Sequence, residues 1–202
     1  NINGSIMSDI FVDNIKHQSS QGSGTITLGA SGETISLASG ASQSGLGTSI
    51  VNTWTNSSQI SPTVAATLTT MTNWSEYTTS PTSNIGSSMT HSSGVWTFPE
   101  TGIYEIRFAI QYTEYGNAYS GYIGAYILAT TDNSSYNTTN ANLSWLDGSA
   151  GGACHGLAIT KSIIDVTDTA NVKVKLSYNS QATTVIQSGN ATSVTFTKIA
   201  NT

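Results

Sequence analysis

Charge is what this chain has least of. Only 8% of its 202 residues are charged, six Lys or Arg against eleven Asp or Glu, for a formal net charge of −5. That is about a third of the roughly 25% usual in a soluble globular domain. Six basic residues make no basic field, so nucleic acid is excluded as a partner. No stretch reaches the roughly 18 apolar residues of a membrane span, so membrane insertion is not expected. Lys, Glu, Arg and Leu, which clothe surface helices, are too scarce for a helical bundle. The single cysteine, Cys154, allows no intramolecular disulfide, so stability must come from packing or assembly. Asn1–Ile6 have neither the basic nor the apolar segment of a signal peptide, so no secretory leader is expected. Met7, followed by Ser8-Asp9-Ile10, reads as an original start behind an upstream extension.

Serine and threonine fill the gap, at roughly 30% of the chain, far above ordinary usage. Residues 22–45 carry an internal near-repeat, Thr25-Ile26-Thr27-Leu28-Gly29 and then Thr34-Ile35-Ser36-Leu37-Ala38. Each unit offers one short alternating strand followed by a Gly/Ser turn. Two apolar side chains, at about 1.5–3 kcal/mol each when buried, fall short of the ordering entropy of nine residues. The segment is therefore a flexible linker or one strand set of a stem whose core comes from several chains. Ile10, Val12, Ile26, Leu28, Ile35 and Leu37 form a stripe that a linker does not need, which favours the stem. Residues 1–60 are read as an anchor and stem, and residues 61–202 as a separate head.

In the head the period is two. Tyr104, Ile106, Phe108, Ile110 and Tyr112 share one face of a strand, with Glu105, Arg107, Ala109 and Gln111 on the other. Val172, Val174, Leu176 and Tyr178 alternate with Lys173, Lys175 and Ser177 as a half-buried antiparallel strand should. Val64, Ala66 and Leu68 alternate likewise, and residues 122–129, 143–146, 157–164, 184–187 and 193–199 are further strand candidates. Turns are expected at Pro99–Gly102, Gly116-Asn117, Asp132–Ser135, Asp147-Gly148 and Gly189-Asn190. Eight or more short strands without a helical period predict an all-β protein, its head an antiparallel jelly-roll sandwich. Residues 122–129 are apolar on both faces, so a long loop or another subunit must cover one of them. That strand and the stem stripe predict a homotrimer, with Ile26, Leu28, Ile35, Leu37, Tyr122 and Tyr126 as interface candidates.

Gly94-Val95-Trp96-Thr97-Phe98-Pro99-Glu100-Thr101-Gly102-Ile103-Tyr104-Glu105-Ile106 resembles the G-x-F-x-x-P-x-x-G-x-Y-x-F segment of trimeric jelly rolls. These are the complement-type globular heads and the tumour-necrosis-factor-like domains. Asp168–Val174 is similar to their gD-x-V-x-V strand, and Ser193–Ile199 to their last strand, S-x-F-x-G-x-L. The match departs at Lys198-Ile199, where the usual glycine is missing, and at Ile106, where Phe is common. The start, Met7-Ser8-Asp9-Ile10-Phe11-Val12-Asp13-Asn14-Ile15 before Gly24–Leu28, resembles the openings of marine bacteriophage fibre and virion proteins. Together these resemblances imply a virion structural protein assembled in the host cytoplasm, a trimeric surface fibre or a capsid or tail decoration. Its N-terminal segment would meet other virion proteins and its head a host surface glycan or receptor. The alternative is a secreted or cell-surface trimeric binding module of cellular origin. A polysaccharide-degrading spike enzyme is a distant third.

Catalytic and metal chemistry find little to work with. His17, His91 and His155 lie in no nucleophile motif, and as strand neighbours Cys154 and His155 point to opposite faces. One Cys and three scattered His have no zinc spacing, and Asp132, Asp165 and Asp168 read as turn caps rather than a calcium loop. Glu105 and Arg107 share a strand face and would pair there or at a subunit interface. No enzymatic activity, catalytic residue, metal ligand or cofactor is therefore expected. Among the aromatics, Tyr115 and Tyr119 flank Gly116-Asn117, and Trp145 precedes Asp147-Gly148. These three are the receptor or glycan candidates, because Tyr and Trp bring large contact areas at small entropic cost.

Overall fold

The computed structural model describes residues 48–61, 66–79, 84–114, 121–146, 153–180 and 184–202. Every regular element among them is a strand. In chain order these are β1 (Val51–Asn56), β2 (Thr69–Thr70), β3 (Trp74–Glu76), β4 (Thr90–Ser92), β5 (Val95–Thr97) and β6 (Gly102–Glu114). There follow β7 (Gly121–Thr130), β8 (Asn137–Leu146), β9 (Cys154–Val166), β10 (Lys173–Ser180), β11 (Thr184–Ile186) and β12 (Gly189–Ala200). They build two antiparallel six-stranded sheets stacked as a jelly-roll sandwich. In the first, β9 runs along one side of β6, β11 and β12 pair with the other, and β1 and β3 follow beyond β12. The second runs β4-β5-β10-β7-β8, with β2 also on β10.

The period-two pattern sets which side chains make the core. Tyr104, Ile106, Phe108, Ile110 and Tyr112 are all fully buried, facing Trp96, Phe98, Ile123, Ile127, Val174 and Leu176 of the opposite sheet. Trp96 lies edge-on to Trp74 at 5.8 Å and tilted on Phe196 at 4.9 Å, so aromatic contacts join the two layers. The doubly apolar strand is β7. Its Ile123, Ala125 and Ile127 enter the core, while on the outer side Tyr122 and Tyr126 are half-buried and Gly124 and Leu128 are covered.

Side chains stitch the sheets at both edges. Asn140 and Asn142 of β8 donate to the Lys161 and Ile159 carbonyls of β9, at 2.7 and 2.8 Å, occupying acceptors that an edge strand leaves open. At the opposite edge the Glu76 carboxylate accepts from Asn52 and Asn84, both at 2.7 Å, and from the Ser88 hydroxyl. The Ser88 bond is the main reason the carboxyl group is held below its usual range. Fully buried Asn52 also accepts from Trp54 Nε1 and from the Met89 amide.

Several sequence expectations are corrected. Strand β1 pairs with β12 and β3, so the sandwich begins before Ser61. The stem candidates Ile26, Leu28, Ile35 and Leu37 lie outside the described residues. Val64 lies outside the described residues; Ala66 takes a left-handed φ of 60° and Leu68 is exposed, so residues 66–68 are a turn leading into the two-residue β2. Gly189-Asn190 is not a turn but the start of β12, where Gly189, at φ 70°, opposes Asn56 at a bulge. Lys173 and Ser177 do not face water. Lys173 reaches Thr97 Oγ1 and the Thr169 carbonyl at 3.0 and 2.6 Å, and Ser177 meets Thr70.

The missing glycine of the last strand also has its reason. Lys198 is buried, with its ammonium 2.6 Å from Glu100 Oε1, and its chain crosses directly over Gly102. At φ 145°, Gly102 occupies a conformation that only glycine adopts readily, and a Cβ there would overlap Lys198 Cε.

Candidate functional site

The sandwich presents two outer faces, one per sheet, and their chemistry differs. On the first sheet the outward residues of β6 and β9 stand in register. Glu105 is beside Ile163, Arg107 beside Lys161, Ala109 beside Ile159, Gln111 beside Leu157 and Thr113 beside His155. Ile163 is 59% exposed and Leu157 52%, although both are large aliphatic side chains on a regular strand. A shallow depression of about 530 Å³ lies on this face, bordered by Arg107, Gln111, His155, Leu157, Ile159 and Asn190. Its polar margin is tied down by His155 Nδ1 at 2.8 Å from Thr113 Oγ1, which also accepts from Gln187 at 3.0 Å. Glu105 pairs with Lys161 across the strands at 3.1 Å, rather than with Arg107 along its own strand.

On the second sheet, β7 and β8 place Tyr122 opposite Trp145, Gly124 opposite Leu143 and Tyr126 opposite Ala141. Trp145 is 61% exposed, and its ring lies 4.8 Å from that of Tyr122 with 37° between the planes. Leu143 beside it is exposed as well. Asn179 of β10 lies opposite Gly124 on the other side, and its carboxamide and the Tyr126 ring both fold over that glycine. Lys175, opposite Leu128 on the neighbouring strand, sits 3.9 Å above the Tyr136 ring.

Of the three receptor candidates, Trp145 is thus exposed on the second outer face, while Tyr115 and Tyr119 lie outside the described residues. Tyr122 and Tyr126 are half-buried on that same face. Leu143, Leu157, Ile159 and Ile163 went unnoticed as surface residues. For the three in β9 the signal is Leu157, Ile159 and Ile163 on one side of the strand with Ala158 and Ile164 on the other; Leu143 in β8 carries no comparable pattern.

The titratable groups are spread apart. His91 is packed against Trp96 at 4.6 Å and Trp54 at 6.4 Å, with Nε2 buried, and burial lowers its pKa. Cys154 and His155 point to opposite faces of β9, as expected of strand neighbours. Asp132 accepts from the Thr130 hydroxyl and from the Ser135 and Ser134 amides, bonds that lower its pKa. Asp168 accepts from the Ala170 amide and the Asn171 side chain, with the same effect. Both are turn caps. Among the described residues no group of three His, Cys, Asp or Glu stands close enough to hold a metal ion.

No protein-family model and no curated protein matches the sequence. Solved structures do match in shape. Murine APRIL at pH 5.0 superimposes with a TM-score of 0.53 at 10% identity, over 74% of this chain and 98% of that one. Eiger TNF from S. frugiperda gives 0.55 at 12% identity, over 77% and 95%. The fold is a tumour-necrosis-factor-like jelly roll. At these identities the likeness extends to the fold alone.

Proposed function

We propose that this chain is a self-associating, non-enzymatic binding module, a homotrimer carried on a virion surface, where it serves as a fibre or decoration engaged in host attachment. The observation that carries self-association is the exposure of Leu157 and Ile163, with the half-buried Ile159, on the first sheet's outer face, where the Lys161–Glu105 pair stands between Ile159 and Ile163. Several large aliphatic side chains exposed on one strand face fit a surface that another protein covers. Burying the exposed halves of Leu157 and Ile163 contributes about 1 kcal/mol each per copy. The virion placement rests on the sequence: the Met7–Ile15 leader, the repeats before the head, the single cysteine and the charge-poor, hydroxyl-rich composition. The other virion proteins would be met through the N-terminal segment.

A second reading, a secreted or cell-surface trimeric module of cellular origin, draws on the fold shared with APRIL and Eiger TNF. Light scattering tests the assembly. The expected mass is about three times the 21.1 kDa of one chain, falling to one chain for Ile163→Asp. A folded monomer at micromolar concentration removes the proposal. Labelling of the chain in electron micrographs of intact particles separates the virion reading from the cellular one.

A further inference from the structure

The outer face of the second sheet differs from the first in kind. Where the first exposes aliphatic side chains around an ion pair, this one exposes an indole tilted against a phenol, with Leu143, the half-buried Tyr126 and an amide around them. Four residue steps separate Tyr122 from Tyr126, so the aromatic strip is about 13 Å long, and two strands make it about 10 Å wide. That footprint, on the order of 130 Å², is far below the roughly 800 Å² that each partner buries in a stable protein interface. It suits a small ligand instead.

Charge narrows the class. Tyr122, Gly124, Tyr126, Ala141, Leu143, Trp145 and Asn179 carry none, and Lys175, opposite Leu128 on the neighbouring strand, lies over Tyr136. An anionic ligand would find no ion-pair partner within the strip, whereas an uncharged one loses nothing by that. Small-ligand sites join apolar and aromatic walls to a few polar groups that set orientation. Here the polar groups are the two phenol hydroxyls and the amide nitrogen of the partly exposed Asn179, whose Oδ1 is itself buried against Gly124 and is not a ligand contact. Gly124 keeps the strip's centre low, since any side chain there would collide with Asn179 and Tyr126. A pyranose has the matching chemistry, with C–H faces to lie on the indole and hydroxyls to reach amide and phenol.

We propose that Trp145 and Tyr122 form the platform of a binding site for neutral oligosaccharides on the outer face of the second sheet. The inference deepens the binding-module reading and rests on it. The site lies on the sandwich face opposite Leu157 and Ile163, so it stays open when copies associate through the first sheet. Repetition of the site in an assembly raises the avidity of a platform that is weak singly.

Trp145 is also its own reporter, because Trp74 and Trp96 are buried and Trp54 is partly so. The full chain is titrated by tryptophan fluorescence with malto-, cello-, laminari-, manno- and chitohexaose, and with a heparin hexasaccharide and hexagalacturonate as anionic probes. The expected result is a saturable emission change with at least one neutral hexasaccharide, and protection of Trp145 from N-bromosuccinimide by that sugar. Trp145→Ala and Tyr122→Ala should each weaken binding at least tenfold with melting curves unchanged. Glu105→Gln, on the other sheet, should leave it as it was. Silence across the neutral set, binding of the anionic probes only, or undiminished binding by Trp145→Ala overturns the inference. Light scattering on the same samples keeps the two ideas apart. A trimeric mass with silent neutral probes removes only the carbohydrate site, and a monomeric mass with sugar binding intact removes only the assembly.

Discussion

Replacing Gly102 by alanine tests how the last strand is seated. The Cβ would overlap Lys198 Cε and come within 2.8 Å of the Ala200 carbonyl oxygen, at a φ of 145°. Holding a non-glycine residue in that region costs about 1–3 kcal/mol. Pushing Lys198 aside breaks its contact with Glu100, whose side chain is half in water, so that ion pair adds only about 1 kcal/mol. The loss is therefore roughly 2–4 kcal/mol. For a domain of this size each kcal/mol lowers the melting temperature by about 2–4 °C, so a fall of roughly 4–16 °C is expected. Thermal and urea unfolding followed by circular dichroism measures it. Lys198→Met and the double variant complete a cycle. Because each change breaks the Lys198–Glu100 pair and that pair can be lost only once, the two should couple by about 1 kcal/mol. A Gly102→Ala loss below about 1 kcal/mol, or strict additivity with Lys198→Met, would refute the reasoning.

A chain beginning at Ser44 should give a cooperative β-type melt, whereas one beginning at Ser61 should not. The longer cut removes β1, and with it the buried side chains of Ile50, Asn52 and Asn56 and the strand between β12 and β3; equal melts for the two chains would show that β1 is dispensable. Acid should destabilise in two steps. His91 has its pKa lowered by burial, so its contribution is complete above the unfolded value of about 6.5 and is lost as pH falls from there toward the folded value. Glu76 has its pKa lowered chiefly by Ser88, so its contribution is present above the unfolded value of about 4.3 and is lost as pH falls through the folded one. Urea midpoints against pH should lose the upper step in His91→Phe and shrink the lower one in Glu76→Gln; an unaltered upper slope in His91→Phe would show that another group causes it.

The sequence alone determined the fold class and most of the core. Helix formers are scarce, and apolar side chains recur at every second position of 102–114 and 172–180, so only strands with those faces inward could bury them. The Pro99–Gly102 segment was legible for the same local reason, since backbone conformation limits which residues fit there. Strand β1 and the first part of β8, residues 137–142, were not legible as such. Asn52 and Asn56 are polar yet buried, and residues 137–142 are polar and mostly exposed, so neither stretch carries the alternation of a half-buried strand. They are strands because partners distant in sequence satisfy them: Glu76 and Met89 for Asn52, and β7 together with the β9 carbonyls for β8. The same holds for the surfaces. Periodicity marked 122–129 as apolar on both sides, but only the packing of the two sheets decided which side entered the core. It left Tyr122 and Trp145 side by side on one outer face and the exposed Leu157 and Ile163 of β9 on the other. A strand's pattern states that it has two faces, and only its neighbours in space determine what each face meets.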